Sequence, residues 1–322
     1  MTQRYVSNVS RWFFNKVFNG MTILSHNSTR QQTATDSGHQ FDANRHWAAF
    51  LTLGFGAHAE AETSITRMNI ARHYGPLRVQ RPFYPEGRDG CCHVYLLHPP
   101  GGIASGDALN IDVTVAANAH TLLTTPAANK LYKADSNGVA WNQHTYLKIA
   151  NNATLEWLPQ ETLAFNGSRG EQTIIIDLED NAKCLGWEIL GLGRPASKLP
   201  FVSGRLEQRF HLTRNGRPLW IERQCIDPDH PRFAGMWGQG GATVHATLWA
   251  VGLDDPLEAI AALREHIPAA NHWAVTYRRG VLLLRYLGVE RNEAWALFQQ
   301  AREILRPRLT GHKAITPRIW LT

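Results

Sequence analysis

The sequence is poor in cysteine and in charge, and it contains no long apolar run. Its four cysteines form no CxxC pair and no regular disulfide spacing, which favours a reducing compartment. The apolar residues from Trp12 to Phe18 are interrupted by Asn15 and Lys16. A secretory signal needs about 7–15 uninterrupted apolar residues and a spanning helix needs about 20, so this stretch fits neither. We therefore expect a cytoplasmic protein with no membrane partner.

Charged residues make up only 19% of the chain, against 43% hydrophobic residues. This balance excludes a disordered polyelectrolyte and favours a folded protein with a sizeable core. The formal net charge of +6 would suit a nucleic-acid partner, but half of that excess lies within residues 1–40. The chain also has no block of five or six basic residues. Nucleic-acid binding is therefore kept only as an alternative function, and no nucleic-acid partner is expected.

The N-terminal region differs in composition from the rest of the chain. Residues 25–40 are polar and have no period that would bury one face. We expect residues 1–40 to be a disordered or extraneous tail, and residues 41–322 to form a single β-rich domain whose folded part begins near Trp47. Met21 is a possible alternative start, which would leave residues 1–20 as an upstream extension.

Short β-branched or alternating runs follow, separated by glycine, asparagine, aspartate and proline, as at residues 109–115, 173–178 and 204–212. Asn215 and Gly216 form the dipeptide that type I′ hairpin turns prefer, so two antiparallel strands are expected to meet there.

A weak internal repeat supports a β-rich fold. Residues 113–123, 147–157 and 176–186 share an alternating strand, a polar turn containing Asn-Ala, and a second strand. Each segment is interpreted as a hairpin whose asparagine adopts otherwise costly backbone angles. Stacked hairpins of this kind would form a layered sheet or an irregular β-solenoid.

Helical periodicity appears only near the C-terminus. One helix is predicted over residues 256–266, and a second is predicted to be capped by Asn292 and stopped by Pro307. A further strand at residues 280–287 separates them. The predicted fold class is mainly β (α+β), a layered or solenoid-like antiparallel β structure with two C-terminal helices.

Enzyme motifs are weak or absent. Residues 191–196 (GLGRPA) match a G-x-G-x-x-A dinucleotide fingerprint, but Pro195 and Pro200 leave no room for the helix that this fingerprint must open. There is no P-loop, and residues 102–106 carry serine at the wrong offset for G-x-S-x-G. A catalytic triad can still assemble in space, so a β-rich hydrolase is kept as the enzyme alternative.

Cysteine and histidine cluster around one predicted strand, where Cys91, Cys92 and His93 are consecutive. Thiolate and imidazole suit nickel, copper or zinc, which makes Cys92 and His93 candidate ligands. Neighbouring strand residues point to opposite faces, so a single tight site is geometrically awkward. The ordinary interpretation is a buried cysteine beside hydrogen-bonded histidine.

Several carboxylates interrupt apolar strands: Glu156, Glu188 and Glu222, together with Asp107 after a glycine turn. Burying a lone carboxylate costs several kcal/mol unless it is paired, protonated, or facing water or metal. Each one singly is explained by a solvated strand face or, for Glu222, by pairing with Arg223. As a set, they indicate an internal polar cavity or channel.

A series of longer motifs resembles the urease accessory protein family UreD, also called UreH. These motifs are GPLRVQRPFYPEG (75–87), CHVYLLHPPGG (92–102) with Gly106 and Asp107, LTTP (123–126) with KLY (130–132), LEWLPQE (155–161), LGRP (192–195) and PRIW (317–320). They occur in order over about residues 47–322.

This resemblance implies a non-enzymatic scaffold or chaperone for urease maturation, with no catalytic residues and no tightly bound cofactor. It implies complexes with accessory proteins F and G, the latter a GTPase, and with the urease apoprotein, to which Ni²⁺ is delivered in a GTP-dependent process. It further implies that Asp107, Glu188 and Glu222 line an internal Ni²⁺ route, with Glu156, Cys92 and His93 as secondary candidates. Scattered carboxylates suit such transport because they bind Ni²⁺ and release it again.

Overall fold

The computed structural model describes residues 47–60, 63–87 and 90–321. The prediction of a tail over residues 1–40 lies outside this range. Within it, strands carry most of the chain. They are β1 (Trp47–Glu60), β2 (Thr63–Tyr74), β3 (Arg78–Val79), β4 (Cys92–Leu97), β5 (Asp107–Val115), β6 (His120–Thr124), β7 (Asn129–Leu131), β8 (Trp141–Ile149), β9 (Thr154–Leu158), β10 (Thr162–Ala164), β11 (Arg169–Leu178), β12 (Lys183–Leu192), β13 (Arg205–Arg214), β14 (Arg217–Ile226), β15 (Val244–Val251), β16 (Trp273–Arg278) and β17 (Val281–Gly288).

The strands form two large sheets. The first has seven strands in the order β14-β13-β11-β8-β5-β1-β2, and the second follows the order β16-β17-β15-β12-β9-β6-β4-β3, with β10 and β7 attached beside β12. The mainly β prediction is confirmed, but the sheets are mixed rather than antiparallel throughout. The inner neighbours β5, β8, β11 and β13 run parallel, as do β4, β6, β9 and β12.

The internal repeat corresponds to three successive coils of a β-solenoid. The strands within each repeat do not pair with each other, so the hairpin interpretation is wrong. Strands β5, β8 and β11 lie in the first sheet, whereas β6, β9 and β12, which follow them, lie in the second. The turns use positive φ at Asn118 (61°), Asn152 (57°) and Asp180 (24°). Asparagine and aspartate tolerate this region, so the repeated turns direct the chain from one sheet into the other.

The hairpin predicted at Asn215 and Gly216 is confirmed. It joins β13 to β14 in antiparallel register, and both turn residues have positive φ, 49° and 72°. This combination is that of a type I′ turn, which matches the twist of the strands it connects.

The first helix, α1 (Pro256–His266), lies between β15 and β16, and the second, α2 (Arg291–Thr310), follows β17. Asp255 caps α1 by accepting from the backbone N–H groups of Leu257 and Glu258. The predicted boundaries of α2 are wrong at both ends. The helix begins at Arg291, before Asn292 can cap it, and it continues past Pro307 to Thr310, where Gly311 caps it with a φ of +77°.

The second sheet separates two apolar layers. Because successive strand residues point to opposite faces, Cys92 and Leu123 pack into the core between the sheets, while Cys91 and Leu122 pack against the helices. Consecutive residues of one strand therefore pack in different layers, one between the two sheets and one against the helices. This alternation decides which of the predicted site residues meet.

Candidate functional site

Glu188 on β12 and Glu222 on β14 line one cavity of about 60 Å³ between the two sheets. We call it the inter-sheet cavity. Its polar lining residues are Gln172, Glu188, Gln208, Arg209, Glu222, Gln224 and Thr247. The guanidinium of Arg209 is paired with Glu207 and Glu171. Phe210, Trp220 and Trp249 form its apolar wall, with ring centroids 3.9–6.3 Å apart. Two of the three main predicted residues thus come together from opposite sheets.

Glu188 is held by neutral hydrogen-bond donors. Trp157 Nε1 donates to its Oε1 at 3.0 Å, and Gln172 Nε2 donates to its Oε2 at 3.2 Å. Burial raises the pKa of this carboxyl to about 7, and these two hydrogen bonds only partly oppose that rise. Near neutral pH the group is therefore divided between its charged and neutral forms. The Glu188 carboxylate can therefore bind a cation without first losing an ion pair with an arginine.

Glu222 is paired with Arg285 on β17, which does not itself line the inter-sheet cavity. Arg285 Nη1 donates to its Oε1 at 2.9 Å, Arg285 Nη2 donates to its Oε2, and Trp220 Nε1 donates to Oε2 at 3.0 Å. Burial alone would raise the pKa of Glu222, but the hydrogen bonds and charge of Arg285 outweigh it and lower that pKa. The alternative of pairing with Arg223 is wrong, because Arg223 binds Glu207 instead. A metal ion at Glu222 would have to displace Arg285.

A row of glutamines, which the sequence motifs did not indicate, lies beside these carboxylates. Level with one another across the first sheet lie Gln143 on β8, Gln172 on β11, Gln208 on β13 and Gln224 on β14. Gln208 Nε2 donates to Gln172 Oε1 at 2.8 Å, and Gln224 Nε2 donates to Glu222. A signal was available, since Gln143 and Gln172 each lie four residues before a repeated segment. The row extends the polar surface beyond the two carboxylates.

Asp107 lies in the same inner layer but outside the inter-sheet cavity. Its Oδ2 accepts from the backbone N–H of Ala104 at 2.7 Å. Leu109 on β5 pairs with Gln143 on the neighbouring strand β8. Asp107 precedes Leu109 by two residues, so it lies one strand across from Gln143 and two residues along. At the usual strand spacing and rise, their Cα atoms are about 8 Å apart. Asp107 therefore lies near the end of the glutamine row that is opposite Gln224.

Glu156 lies on the other face of the second sheet, beneath α2. Its Oε1 accepts from Arg306 Nε at 2.8 Å and from His120 Nε2 at 2.9 Å, and Arg302 lies 3.5 Å from its second oxygen. Burial alone would raise the pKa of Glu156, but the hydrogen bond from His120 and the charges of the two arginines hold it well below its ordinary value. Glu156 and Glu188 therefore do not share one interior.

The same buried network includes His93, another predicted ligand. His93 Nε2 lies 2.7 Å from Glu86 Oε1, and Arg306 Nη2 donates to both oxygens of Glu86 at 2.7 and 2.9 Å. Arg306 is fully buried and binds the carboxylates of both Glu86 and Glu156. We define the buried arginine network as Glu86, His93, His120, Glu156, Arg302 and Arg306. It links α2 to strands that are distant in sequence.

Cys91, rather than the predicted Cys92, lies beside this network. Two groups of potential ligands have atoms within 4.8 Å of one another, namely Glu86, Cys91 and His93, and Cys91, His120 and Glu156. Burial and the charge of Glu156 raise the pKa of the Cys91 thiol well above its ordinary value, which disfavours the thiolate that binds metal. Arg306 already occupies both carboxylates. The arrangement is best explained as an ionic support for α2.

Cys92 faces the core between the sheets. Burial raises the pKa of its thiol to about 11, against hydrogen bonds with Tyr84 and Thr121 that lower it. The predicted candidates are thus divided between two layers. Glu188, Glu222 and Asp107 line the inner layer, Cys92 lies in the apolar part of that layer, and His93 and Glu156 belong to the buried arginine network.

Replacing Glu188 with glutamine is expected to stabilise the protein more at pH 8 than at pH 5. The folded-state pKa of about 7 exceeds the ordinary 4.5, so the contribution of Glu188 to stability is present at low pH and is lost as pH rises through 7. The gain at pH 8 should exceed that at pH 5 by on the order of 2 kcal/mol. Urea unfolding followed by tryptophan fluorescence measures both values. An equal gain at the two pH values, or a difference matched by the exposed control Glu265→Gln, would contradict the environment described for Glu188.

Among the described residues, neither helix combines the length and apolar character needed to cross a bilayer.

Comparison with known proteins identifies related sequences over almost the whole described chain. The family model for the UreD urease accessory protein matches residues 48–321. Urease accessory protein UreD 1 of Psychrobacter cryohalolentis is 76% identical over 302 residues, covering 94% of this chain and 100% of that protein. The protein named urease accessory protein UreD in Pseudoalteromonas translucida is 70% identical with the same coverage. Its namesake in Chromohalobacter salexigens is 60% identical, covering 95% of this chain and 98% of the relative.

Proposed function

The chain belongs to the UreD urease accessory protein family, and we propose that it matures urease by conducting Ni²⁺ between its two sheets to the urease apoprotein. Family membership supports the role in urease maturation. The observation that carries the nickel route is the inter-sheet cavity, which both Glu188 and Glu222 line and whose polar lining the glutamine row continues.

The chemistry of this lining suits a passing cation. Carboxylate and amide oxygens can replace part of the water shell of Ni²⁺, whereas a closed cysteine and histidine cage would retain the ion. The cavity of about 60 Å³ has room for a few water-sized groups, so a partly hydrated ion fits. Glu188, which has neutral partners and a pKa of about 7, provides a negative charge that a proton can cancel. Weak binding and ready release follow from that balance.

The glutamine row gives the route a direction across the first sheet. From Gln143 on β8 to Gln224 on β14 it crosses three strand spacings, about 14 Å. Asp107 lies near its first end, and Glu222 lies beside its second. In this proposal, Asp107, Glu188 and Glu222 are successive acidic stations connected by amide oxygens. Glu156, His93 and Cys92 lie outside the route.

The proposal includes the partners that the sequence resemblance implies. The protein would act in the cytoplasm as a scaffold or chaperone in a complex with accessory proteins F and G, and the GTPase G would couple nickel loading to GTP. It would turn over no substrate of its own, because Ni²⁺ passes through chemically unchanged. The relatives are named as accessory proteins, which supports neither the hydrolase nor the nucleic-acid alternative.

The test is a deletion of the gene in cells that produce urease. Urease purified from the deletion strain should lack nickel and activity, and a plasmid copy of the gene should restore both. Nickel is counted by mass spectrometry per urease active site, so poor urease expression is not mistaken for poor loading. Fully nickel-loaded urease in the deletion strain would refute the proposed function.

A further inference from the structure

A second pocket of about 310 Å³ opens beside the inter-sheet cavity, and its charged lining is mostly basic. We call it the outer pocket. It lies between β14, β15, β17 and the loop of residues 227–243, none of which belongs to the sequence motifs discussed above. Its charged lining residues are Arg223, Asp227, Arg232 and Arg285. Three cations against one carboxylate favour an anionic ligand over a metal ion.

Arg232 is the cation of the outer pocket that is available to such a ligand. It is exposed and makes no ion pair with a carboxylate among the described residues. Arg223 and Arg285 are each bonded to a glutamate that does not line the pocket. Asp227 lies 3.9 Å from Arg205. Arg232 can therefore present its guanidinium fork to a carboxylate from outside the chain.

Two large apolar side chains stand exposed at the tip of the same loop. Met236 is 92% exposed and Trp237 is 71% exposed. Phe233 and Gly238, on either side of this pair, both line the outer pocket, so the tip lies at the rim of the pocket. Single exposed apolar residues are ordinary, but protein interfaces are enriched in methionine and tryptophan, and here the two are adjacent.

The loop that carries the tip is held in place by its backbone and by one buried ring. The N–H of Gln239 donates to the carbonyl oxygen of Arg232 at 2.8 Å. A Cβ at Gly238 would lie 2.1 Å from that same oxygen, so only glycine permits this close approach. Phe233 packs against the core between the sheets, with its ring centroid 6.4 Å from that of Phe201. The tip is therefore preorganised, which reduces the entropy lost on binding.

A second copy of this chain is a poor match for this surface. An isologous dimer would bring the same patch of both subunits together and would place Arg232 and Arg223 against their own counterparts. Like charges that face each other across an interface weaken it. The surface instead fits a different protein that carries an apolar side chain beside a carboxylate.

We propose that the outer pocket and the loop tip bind an acidic segment of a partner protein. An apolar side chain of that segment packs against Met236 and Trp237, and a neighbouring carboxylate is bound by the guanidinium of Arg232. Burial of the tryptophan provides most of the affinity, whereas the charge of Arg232 orients the segment and makes association sensitive to salt. That the partner belongs to the urease maturation machinery rests on the proposed function.

The binding test uses the purified full-length chain with purified urease apoprotein and accessory proteins F and G, each tested alone. For one of these three proteins, Trp237→Ser and Arg232→Glu should each raise the Kd by about tenfold or more. The affinity of the wild type should also fall more steeply with NaCl than that of Arg232→Glu. The matched control, Leu257→Ser with Arg264→Glu, makes the same kinds of change at exposed positions of α1 and should bind like the wild type.

Photocrosslinking identifies the occupant of the surface. The variant Met236→p-benzoylphenylalanine keeps Trp237 and places a photoreactive ketone at the loop tip. After irradiation with the same three proteins, the crosslink should map to a peptide that has aspartate or glutamate within a few residues of the point of attachment. Crosslinks confined to a second copy of this chain would overturn the proposal and assign the tip to self-association.

Unchanged Kd values for all three proteins with Trp237→Ser and Arg232→Glu would also overturn the proposal. An equal loss of binding in the α1 control would do the same, because the effect would then not belong to this surface. Circular dichroism checks that each variant is folded. Both substituted side chains are exposed, so their replacement should leave the core intact.

These measurements need neither nickel nor active urease, and they therefore separate the surface from the proposed function. Weaker binding by Trp237→Ser and Arg232→Glu supports the surface even if the deletion strain still makes nickel-loaded urease, a result that refutes only the proposed function. Unchanged binding by both variants, combined with nickel-free urease in the deletion strain, refutes only the surface.

Discussion

Replacing Arg306 with methionine is expected to lower the free energy of unfolding by about 3–5 kcal/mol. Arg306 is fully buried and hydrogen-bonds to both Glu86 and Glu156, so its removal leaves two carboxylates without their principal cation. Methionine retains the unbranched stem and the helix propensity, and thus isolates the loss of charge. Urea unfolding at pH 7, followed by circular dichroism, measures the change.

The same helix offers a matched control. Arg308 makes a similar two-bonded contact with Glu258, but both side chains are substantially exposed, 33% and 50%. Exposed ion pairs contribute about 0–1 kcal/mol, so Arg308→Met should have little effect. Adding Glu86→Gln and Glu156→Gln to Arg306→Met should recover part of the lost stability, because the uncompensated charges are then gone. Equal costs for Arg306→Met and Arg308→Met would contradict a supporting role for the buried arginine network.

The double substitution Asp107→Ala with Glu188→Ala is expected to reduce the nickel content of co-produced urease by about tenfold or more. The two carboxylates lie in the inner layer, and Glu188 is the acidic group of the inter-sheet cavity that has no cationic partner in its described contacts. Without these two carboxylates, the remaining acid of the cavity is Glu222, whose negative charge is already paired with Arg285. Nickel per urease active site is measured by mass spectrometry, in cells that carry the variant as their only copy.

Assembly of the variant with its partner proteins is measured in the same cells. Substitutions in the inner layer should leave the outer surfaces that bind partners unchanged. The variant should still be captured with its partners in pull-down experiments, and its yield should match the wild type. Asp254→Ala with Glu265→Ala removes two exposed carboxylates and controls for the change in net charge. Nickel-replete urease with the double variant would rule out a route along Asp107 and Glu188, as would an equal loss in the control.

Local features could be predicted because their causes lie within a few residues. The Asn215 and Gly216 turn, the helix over residues 256–266 and the three repeated turns follow from backbone preferences of short segments. The hairpin interpretation of the repeats failed for a related reason. A turn and two flanking strands look alike whether the strands pair with each other or enter different sheets, and only contacts with the next coil distinguish the two.

The candidate site was only partly predictable. Alternation indicates which residues of a strand share a face, and in the structure Glu188 and Glu222 line one cavity. It does not indicate which face is inward, so Glu156 was placed with them although it lies beneath α2.

By itself, the sequence determined the mainly β class, the turns, the two C-terminal helices and, through its longer motifs, the family. These properties depend on local backbone preference or on residue order. The tertiary structure alone decided how the buried charges are matched. Arg306 meets Glu86 across 220 residues and Glu156 across 150, and Arg285 reaches Glu222 across 63. The reason is that a buried charge is stabilised by whichever opposite charge the strand register brings within a few ångströms, and that register is set by packing between distant segments. The scarcity of charge therefore had a definite meaning: few charges are present, and those that are buried either support α2 or line the inner layer.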